Sequence, residues 1–223
     1  MSARAYLAAV TVVLERLCAS QRGAIEQAGE AVARALGDGH RLWAFGTGHS
    51  HLLAEELYSR AGGLDGVEAV LEPSLMLHEG PLKSSVLEQQ AGLAAALLSV
   101  RDLGRGDAVI IASNSGRNAV PVEFAEQASS RGATVIGVTS LAHSRSVASR
   151  APSGRRLFEV ADIVVDNCGV PGDAAIEVPG CLERVGATST VTGALIVQAI
   201  VCEAVALLAG AGATPPLLRS FNI

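Results

Sequence analysis

Apolar residues recur at every third or fourth position near the start of the chain. They form a continuous stripe between residues 3 and 36, made of Leu7, Val10, Leu14, Leu17, Ile25, Ala28, Val32 and Leu36. This spacing matches the period of an α-helix with one buried face. The pattern therefore predicts a long amphipathic helix over residues 3–36, with a bend at Gly23.

The rest of the chain alternates between short apolar runs and longer helical stretches. Five runs have strand length and β-branched content, at residues 41–45, 67–71, 108–112, 134–138 and 163–165. Helical stretches cover about residues 50–62, 84–103, 118–131 and 188–209. Such alternation predicts an α/β fold, a doubly wound five-stranded parallel sheet flanked by helices, with long N-terminal and C-terminal helices.

Two glycine- and serine-containing loops follow the first and third predicted strands. Residues 46–51 are GTGHSH, and residues 113–118 are SNSGRN. Both loops precede helices, whose free N–H groups and positive ends favour anions. His51 replaces the third glycine of a dinucleotide-binding GxGxxG, and GxxxxGK[ST] is absent. The loops therefore fit a monophosphate ester better than a dinucleotide or ATP.

Composition restricts the class of protein. Hydrophobic residues make up 49% of the 223 residues and charged residues 17%, which indicates one compact domain over residues 1–223. The net charge of −5 argues against nucleic-acid binding. Four scattered cysteines without a CxxC pair indicate free thiols in a reducing compartment.

Two apolar segments resemble membrane-directed sequences. Glu15 closely follows the apolar start and no small-residue cleavage site is evident, which argues against a signal peptide. Residues 185–202 carry no charge after Arg184, but Thr188, Ser189 and Gln198 indicate a buried helix instead of a membrane span. We therefore expect a cytoplasmic protein with no membrane partner.

The two loops, together with TSTVTGALIVQAI at residues 188–200, resemble the sugar isomerase (SIS) domain across nearly the whole chain. The resemblance implies a flavodoxin-like strand order and binding of a sugar phosphate. It implies phosphate-binding roles for Ser50, Ser113 and Ser115. Thr188 and Ser189 are two further residues to which the resemblance gives this role. The remaining predicted substrate-binding residues belong to the same loops and are Gly48, Asn114, Gly116, Arg117 and Asn118.

Two groups within this superfamily are similar to parts of the chain. Residues 54–57 (AEEL) followed by Arg60 resemble the helix of phosphoheptose isomerases that carries a catalytic Glu. Residues 115–117 with upstream Glu88 resemble N-acetylmuramic acid 6-phosphate etherases. The Gln of the phosphoheptose isomerase metal site aligns with Gln198, but Ala206 stands where that family has His. No HxxxH pair is present either, so we expect no metal and no other cofactor.

Aldose–ketose interconversion of a phosphosugar needs a base that moves a proton between C1 and C2, and a group that opens the ring. Carboxylates available as the base are Glu55, Glu56, Glu79 and Glu88. Adjacent helical residues project about 100° apart, so at most one of Glu55 and Glu56 faces the cleft. The sequence favours Glu56, with Glu88 as the alternative base. His49, His51 and His78 are the predicted ring-opening residues.

The residues between 141 and 158 are locally basic, with His143, Arg145, Arg150, Arg155 and Arg156. We interpret this segment as a solvated loop, and a flap over an anionic ligand is the alternative.

The favoured hypothesis is a phosphosugar aldose–ketose isomerase. An etherase-like lyase and a non-catalytic phosphosugar sensor are the alternatives. The apolar terminal helices indicate a homodimer or a higher homo-oligomer.

Overall fold

The computed structural model describes residues 3–220 and 222. At its centre is a parallel five-stranded sheet with the order β2-β1-β3-β4-β5. The strands are β1 (Leu42–Gly46), β2 (Glu68–Val70), β3 (Ala108–Ala112), β4 (Thr134–Thr139) and β5 (Ile163–Asp166). The predicted doubly wound sheet and its flavodoxin-like order are confirmed.

Nine helices accompany the strands in the described residues. They are α1 (Ala3–Ser20), α2 (Arg22–Gly37), α3 (His51–Leu57), α4 (Pro81–Leu87), α5 (Leu93–Ser99), α6 (Ala119–Ser130), α7 (Leu141–Arg145), α8 (Leu157–Val160) and α9 (Ser189–Gly210). Helix α7 lies within the basic segment of residues 141–158, and α8 begins at its end. That segment is therefore partly helical and not an irregular loop.

Side chains of the central strands alternate between two hydrophobic clusters, because successive strand residues point to opposite faces of a sheet. In β1, Leu42 and Ala44 pack with α1, α2, α3 and α9. Trp43 and Phe45 pack with α5, α6 and α8. The Phe45 ring stacks on Phe124 of α6, with ring centroids 4.1 Å apart. Both faces of the sheet are thus covered by helices.

The predicted helix over residues 3–36 is two helices, and the break lies at Gln21 instead of Gly23. Gln21 leaves the helical conformation, with φ −108° and ψ 1°. Its side-chain oxygen accepts a 3.0 Å hydrogen bond from the backbone N–H of Asp166 at the end of β5. A distant strand therefore fixes the position of the break.

The predicted helix over residues 84–103 is also divided, into α4 and α5. The Gly92 N–H, just before α5, donates a 2.8 Å hydrogen bond to the Glu123 carboxylate on α6. The division leaves Glu88 directly after the last residue of α4. The helix after β1 is shorter than predicted and ends at Leu57.

An antiparallel hairpin, β6 (Ala174–Ile176) and β7 (Val185–Ala187), precedes α9 and was not predicted. Its strands are three residues long, too short for an alternating pattern to be recognised. The Tyr6 hydroxyl of α1 donates a 2.6 Å hydrogen bond to the Ala187 carbonyl. The N-terminal helix therefore fixes the hairpin beside the start of α9.

Helix α9 is the one helix in the described part of the chain that is long and apolar enough to cross a membrane, with a mean hydropathy of 2.2. Its residues Ile196, Val197, Ile200 and Ala204 are fully buried in the core. It packs closely on α2, where a Cβ at Gly29 would lie 2.6 Å from the Glu203 Cβ. The predicted buried helix is therefore present.

Asp107, directly before β3, connects the start of that strand with the start of β1. The residue is 4% exposed, and its carboxylate accepts 3.0 Å hydrogen bonds from the Arg41 N–H, the Trp43 indole and the Gly104 N–H. Buried donors without acceptors cost about 1–3 kcal/mol each. Asp107 therefore fixes how β1 and β3 begin.

We expect Asp107→Asn to lower the free energy of unfolding by about 1–3 kcal/mol, since an amide N–H₂ in place of either carboxylate oxygen would face at least one of these donors. Denaturant unfolding measures this change. Asp102→Asn is the matched control, because the exposed Asp102 carboxylate forms a surface ion pair with the Arg41 guanidinium, and such pairs contribute little to stability. Equal losses in both variants would contradict the role of Asp107.

Candidate functional site

A cleft opens where the carboxyl ends of β1 and β3 lie side by side. Gly46 pairs with Ala112, so both strands end at the same height. These neighbours form the switch point of the 2-1-3-4-5 order, where ligands bind in open α/β sheets. The cleft has a volume of about 410 Å³, which is within the range of small-molecule sites.

Predicted residues from both loops line this cleft together with Glu88; the loop residues are Gly48, His49, Ser50, Ser113, Asn114, Ser115 and Asn118. A smaller cavity of about 20 Å³ shares His49, Ser50, Ser113 and Asn114 with it. That cavity has room for about one water molecule. The tertiary structure thus brings the two serine loops together around one space.

The loop after β1 turns immediately into a helix. Gly48 has φ +56°, a left-handed conformation that costs glycine little. Residues 48–50 form a single 3₁₀ turn that continues into α3. This turn places the exposed His49 and the half-buried Ser50 on the cleft wall.

The loop after β3 depends on Gly116. Its φ is +58°, and a Cβ there would lie 3.0 Å from the hydroxyls of Thr139 and Ser144. The Gly116 N–H donates a 3.2 Å hydrogen bond to Ser113 Oγ. The Ser113 hydroxyl hydrogen therefore stays available for a ligand in the cleft. Gly116 itself shapes the loop and is not among the residues that line the cleft.

An amide pair connects the loop after β3 with the end of β5. Asn167 Nδ2 donates a 2.8 Å hydrogen bond to Asn114 Oδ1, and Asn167 Oδ1 accepts one from the Gly169 N–H. Asn167 is buried and lines the smaller cavity together with Thr190. Sequence reasoning missed both residues. The position of Asn167, directly after a strand, is the signal that would have found it.

The two predicted bases occupy different surroundings. Glu88 lines the cleft, and the buried Thr47 hydroxyl donates a 2.7 Å hydrogen bond to its carboxylate. Glu56 accepts hydrogen bonds of 2.9 Å from both Gln198 and Arg60. It is not among the lining residues of either cavity. Only Glu88 therefore stands beside the serine loops.

The three predicted ring-opening histidines also lie in different surroundings. His49 lines the cleft, whereas His51 is buried behind it and the exposed His78 lies against His51, with ring centroids 5.5 Å apart. His143, from the basic segment, lines the cleft as well. Its buried Nδ1 has no hydrogen-bond partner among the described residues. Sequence reasoning left His143 out of the site.

The start of α9 is occupied by a carboxylate of the chain. Asp173 accepts hydrogen bonds from the backbone N–H groups of Thr188 and Ser189, at 3.0 and 2.9 Å. It also accepts hydrogen bonds from both hydroxyls. Ser189 lines the smaller cavity, while Thr188 is buried. Thr188 and Ser189, the two further phosphate-binding residues that the resemblance implied, are thus already hydrogen-bonded to Asp173.

The polar end of the loop after β3 contacts the basic segment. Asn118 precedes α6, and its side-chain oxygen accepts a 3.2 Å hydrogen bond from Arg150. The Arg117 carbonyl accepts one of 2.7 Å from the Arg150 N–H. The buried Arg117 Nε has no partner among the described residues. Arg117 is not among the cleft-lining residues.

The strand order and the cleft at its switch point define a doubly wound α/β protein of the flavodoxin-like class. The family model for the SIS domain matches residues 5–140. The chain therefore belongs to the SIS-domain family.

The chain is also similar in sequence to curated relatives and in fold to solved structures. A UPF0309 protein of Halalkalibacterium halodurans is 43% identical over 211 residues, which cover 95% of this chain and 87% of the relative. The phosphoheptose isomerase of Neisseria gonorrhoeae has a TM-score of 0.59 at 16% identity, covering 90% of this chain and 96% of that one. The NanR protein of Vibrio vulnificus, in complex with ManNAc-6P, has a TM-score of 0.56 at 20% identity, covering 93% and 64%.

Burial lowers the pKa of His143 below its ordinary value; Arg117 adds to this shift and Asp173 opposes it. We therefore expect the imidazole to be neutral at pH 7. The unfolded chain then binds more protons between the two pKa values, so stability falls as pH decreases through that window. An NMR titration, assigned with His143→Gln, measures the pKa in the folded protein. A value at or above 6.5 would contradict this prediction.

Proposed function

We propose that the protein binds a sugar phosphate in the cleft and interconverts its aldose and ketose forms. The observation that carries this proposal is the arrangement of Ser50, Ser113 and Ser115 on the same cleft as the Glu88 carboxylate. Hydroxyl donors suit a phosphate, and a carboxylate beside them suits proton transfer on the attached sugar.

The serine hydroxyls form the proposed phosphate anchor. Ser50 precedes α3, and Ser113 and Ser115 precede α6, which is 12 residues long. The positive end of α6 favours a negative charge nearby. At the start of α9, by contrast, Asp173 already accepts hydrogen bonds from the free backbone N–H groups. We therefore assign the phosphate to the side of the cleft formed by the loops after β1 and β3.

Glu88 is the proposed base. In the aldose-to-ketose direction its carboxylate removes the proton from C2, which gives an enediolate, and returns it to C1, while the hydroxyl proton on O2 moves to O1. No electron acceptor or co-reactant is needed, because the two carbons exchange oxidation states within one molecule. The hydrogen bond from Thr47 holds one carboxylate oxygen in place and leaves the other for the substrate. His49 or His143 on the cleft wall moves the ring-opening proton.

The whole chain contributes to the proposed unit. The SIS match ends at residue 140, but β5 and α9 complete the sheet and one of its hydrophobic clusters. We therefore infer one domain over residues 1–223.

Exposed apolar residues on the terminal helices support a homodimer; they are Leu7, Val12, Val191 and Leu207. The four cysteines are free, which fits a reducing cytoplasm.

The phosphate anchor is tested by thermal denaturation with hexose, heptose, hexosamine and N-acetylmuramic acid 6-phosphates, each beside its unphosphorylated sugar. A ligand at 100 times its Kd adds about 2.7 kcal/mol, which raises Tm by several degrees. We expect a shift with one phosphosugar and none with its parent sugar. The absence of any shift in folded protein would contradict the proposed ligand class.

Ser115→Ala should weaken binding of that phosphosugar by about 10- to 100-fold, because a hydrogen bond to a charged group is worth about 1.5–3 kcal/mol. Isothermal calorimetry measures the Kd. Ser129→Ala is the matched control, since Ser129 is exposed near the opposite end of α6. Equal affinity in both variants would show that the Ser115 hydroxyl does not bind the phosphate.

The base is tested by exchange of the C2 proton in heavy water. We expect Glu88→Gln to slow exchange by about 10²- to 10⁴-fold, the usual contribution of a general base, while the phosphosugar still binds. Glu56→Gln is measured in parallel. Loss of exchange in Glu56→Gln alone would make Glu56 the base. Binding without exchange in the unaltered protein would indicate a sensor, and release of an ether substituent would indicate a lyase.

A further inference from the structure

Three side chains with metal-binding atoms converge beside the cleft. His51 and Glu55 lie one turn apart on α3, and His78 approaches them from the loop between β2 and α4. The ligand atoms of the three residues all lie within 4.8 Å of one another. We propose that His51, Glu55 and His78 bind a zinc ion or a similar divalent transition-metal ion.

The hydrogen bonds of His51 leave one ring nitrogen without a matching partner. Nδ1 lies 2.6 Å from the Gly48 carbonyl, which can only accept, so Nδ1 carries a hydrogen. Nε2 lies 3.2 Å from Glu55 Oε1, and an ionised carboxylate also only accepts. In the neutral imidazole two lone pairs therefore face each other. Either a proton on Nε2 or a metal ion between Nε2 and the carboxylate resolves this conflict, and the metal-binding test below distinguishes the two.

This tautomer is the one that metal-bound histidines adopt. A ligating His usually donates its other ring N–H to a backbone carbonyl or a carboxylate, which fixes the orientation of the ring. The Gly48 carbonyl accepts that hydrogen bond. Since His51 is 2% exposed, its ring is also held by packing. The first ligand is thus oriented before any ion arrives.

The distances suit a tetrahedral ion. Two ligand atoms about 2.0–2.2 Å from one zinc at a tetrahedral angle lie about 3.4 Å apart. The separation of His51 Nε2 and Glu55 Oε1 is 3.2 Å. The His78 ring nitrogen lies within 4.8 Å of the other two ligand atoms, and its exposed side chain has room to change rotamer when an ion binds. Two histidines and one carboxylate leave a fourth position for water, the arrangement of catalytic zinc sites.

This set differs from the position that the resemblance to phosphoheptose isomerases indicates. That position involves Gln198, whose amide instead donates a 2.9 Å hydrogen bond to Glu56. Glu55 projects about 100° away from Glu56 around α3. No metal was expected from the sequence, because Ala206 stands where that family has His and no HxxxH pair is present. The proposed ligands are an HxxxE pair and a histidine from another loop.

The test uses the full chain, treated with a chelator and kept reduced. Zinc binding is measured by calorimetry, and Co²⁺ serves as a visible probe of the ligand geometry. We expect one equivalent of metal and the absorption of tetrahedral cobalt, without the near-ultraviolet band of a thiolate ligand. A thiolate band would instead assign the metal to one of the free cysteines and overturn the proposal.

The variants His78→Ala and Glu55→Gln should each weaken zinc binding by at least about 100-fold, because even loss of an outer hydrogen-bond partner costs about 10- to 100-fold. Glu15→Gln changes an exposed carboxylate on α1 and is the control, which should bind zinc as the unaltered chain does. Both altered ligands are partly or fully exposed, and circular dichroism verifies that each variant folds. No binding at millimolar metal, or equal binding by all variants, would overturn the proposal. None of these readouts depends on a sugar phosphate.

Discussion

Strands β1 and β3 pair in parallel with Gly46 opposite Ala112, so the loops that follow leave the sheet at the same height. Because the crossovers from these strands lead to different faces of the sheet, the loops diverge and a cleft opens between them. The buried Asp107 carboxylate fixes the other end of the same pair through Arg41 and Trp43. Every proposed contact with a ligand depends on this register.

Helix α3 distributes successive side chains to different surroundings. Leu53 packs against α9 where Gly193 leaves room, since a Cβ there would lie 2.6 Å from Leu53 Cδ1. Glu56 turns to Gln198, also on α9. His51 and Glu55 face each other on another side of the helix. One short helix thus connects the core, the cleft wall and the proposed zinc site.

The sheet was predictable because its apolar runs are short, continuous and separated by helical periods. The breaks in the helices were less predictable, because each depends on a hydrogen bond to a residue far away in the sequence. Gln21 accepts one from the Asp166 N–H, and the Gly92 N–H donates one to Glu123. The serine loops were found from their glycines and hydroxyls. Asn167 and His143 were not assigned to the site, because each is an ordinary polar residue until the fold brings it to one of the two cavities. Asp173 was left unassigned for the same reason, and the fold places it at the start of α9.

The sequence by itself determined the fold class, the strand order that the SIS resemblance implies, and the two loops at the cleft. The fold class follows from local periodicity, the two loops from their glycines and hydroxyls after predicted strands, and the strand order from the resemblance. The tertiary structure alone decided which carboxylate, Glu56 or Glu88, lies beside the serines, and which histidines meet Glu55. The physical reason is that a one-residue change of position on a helix turns a side chain by about 100°, and only packing fixes where that side chain then lies.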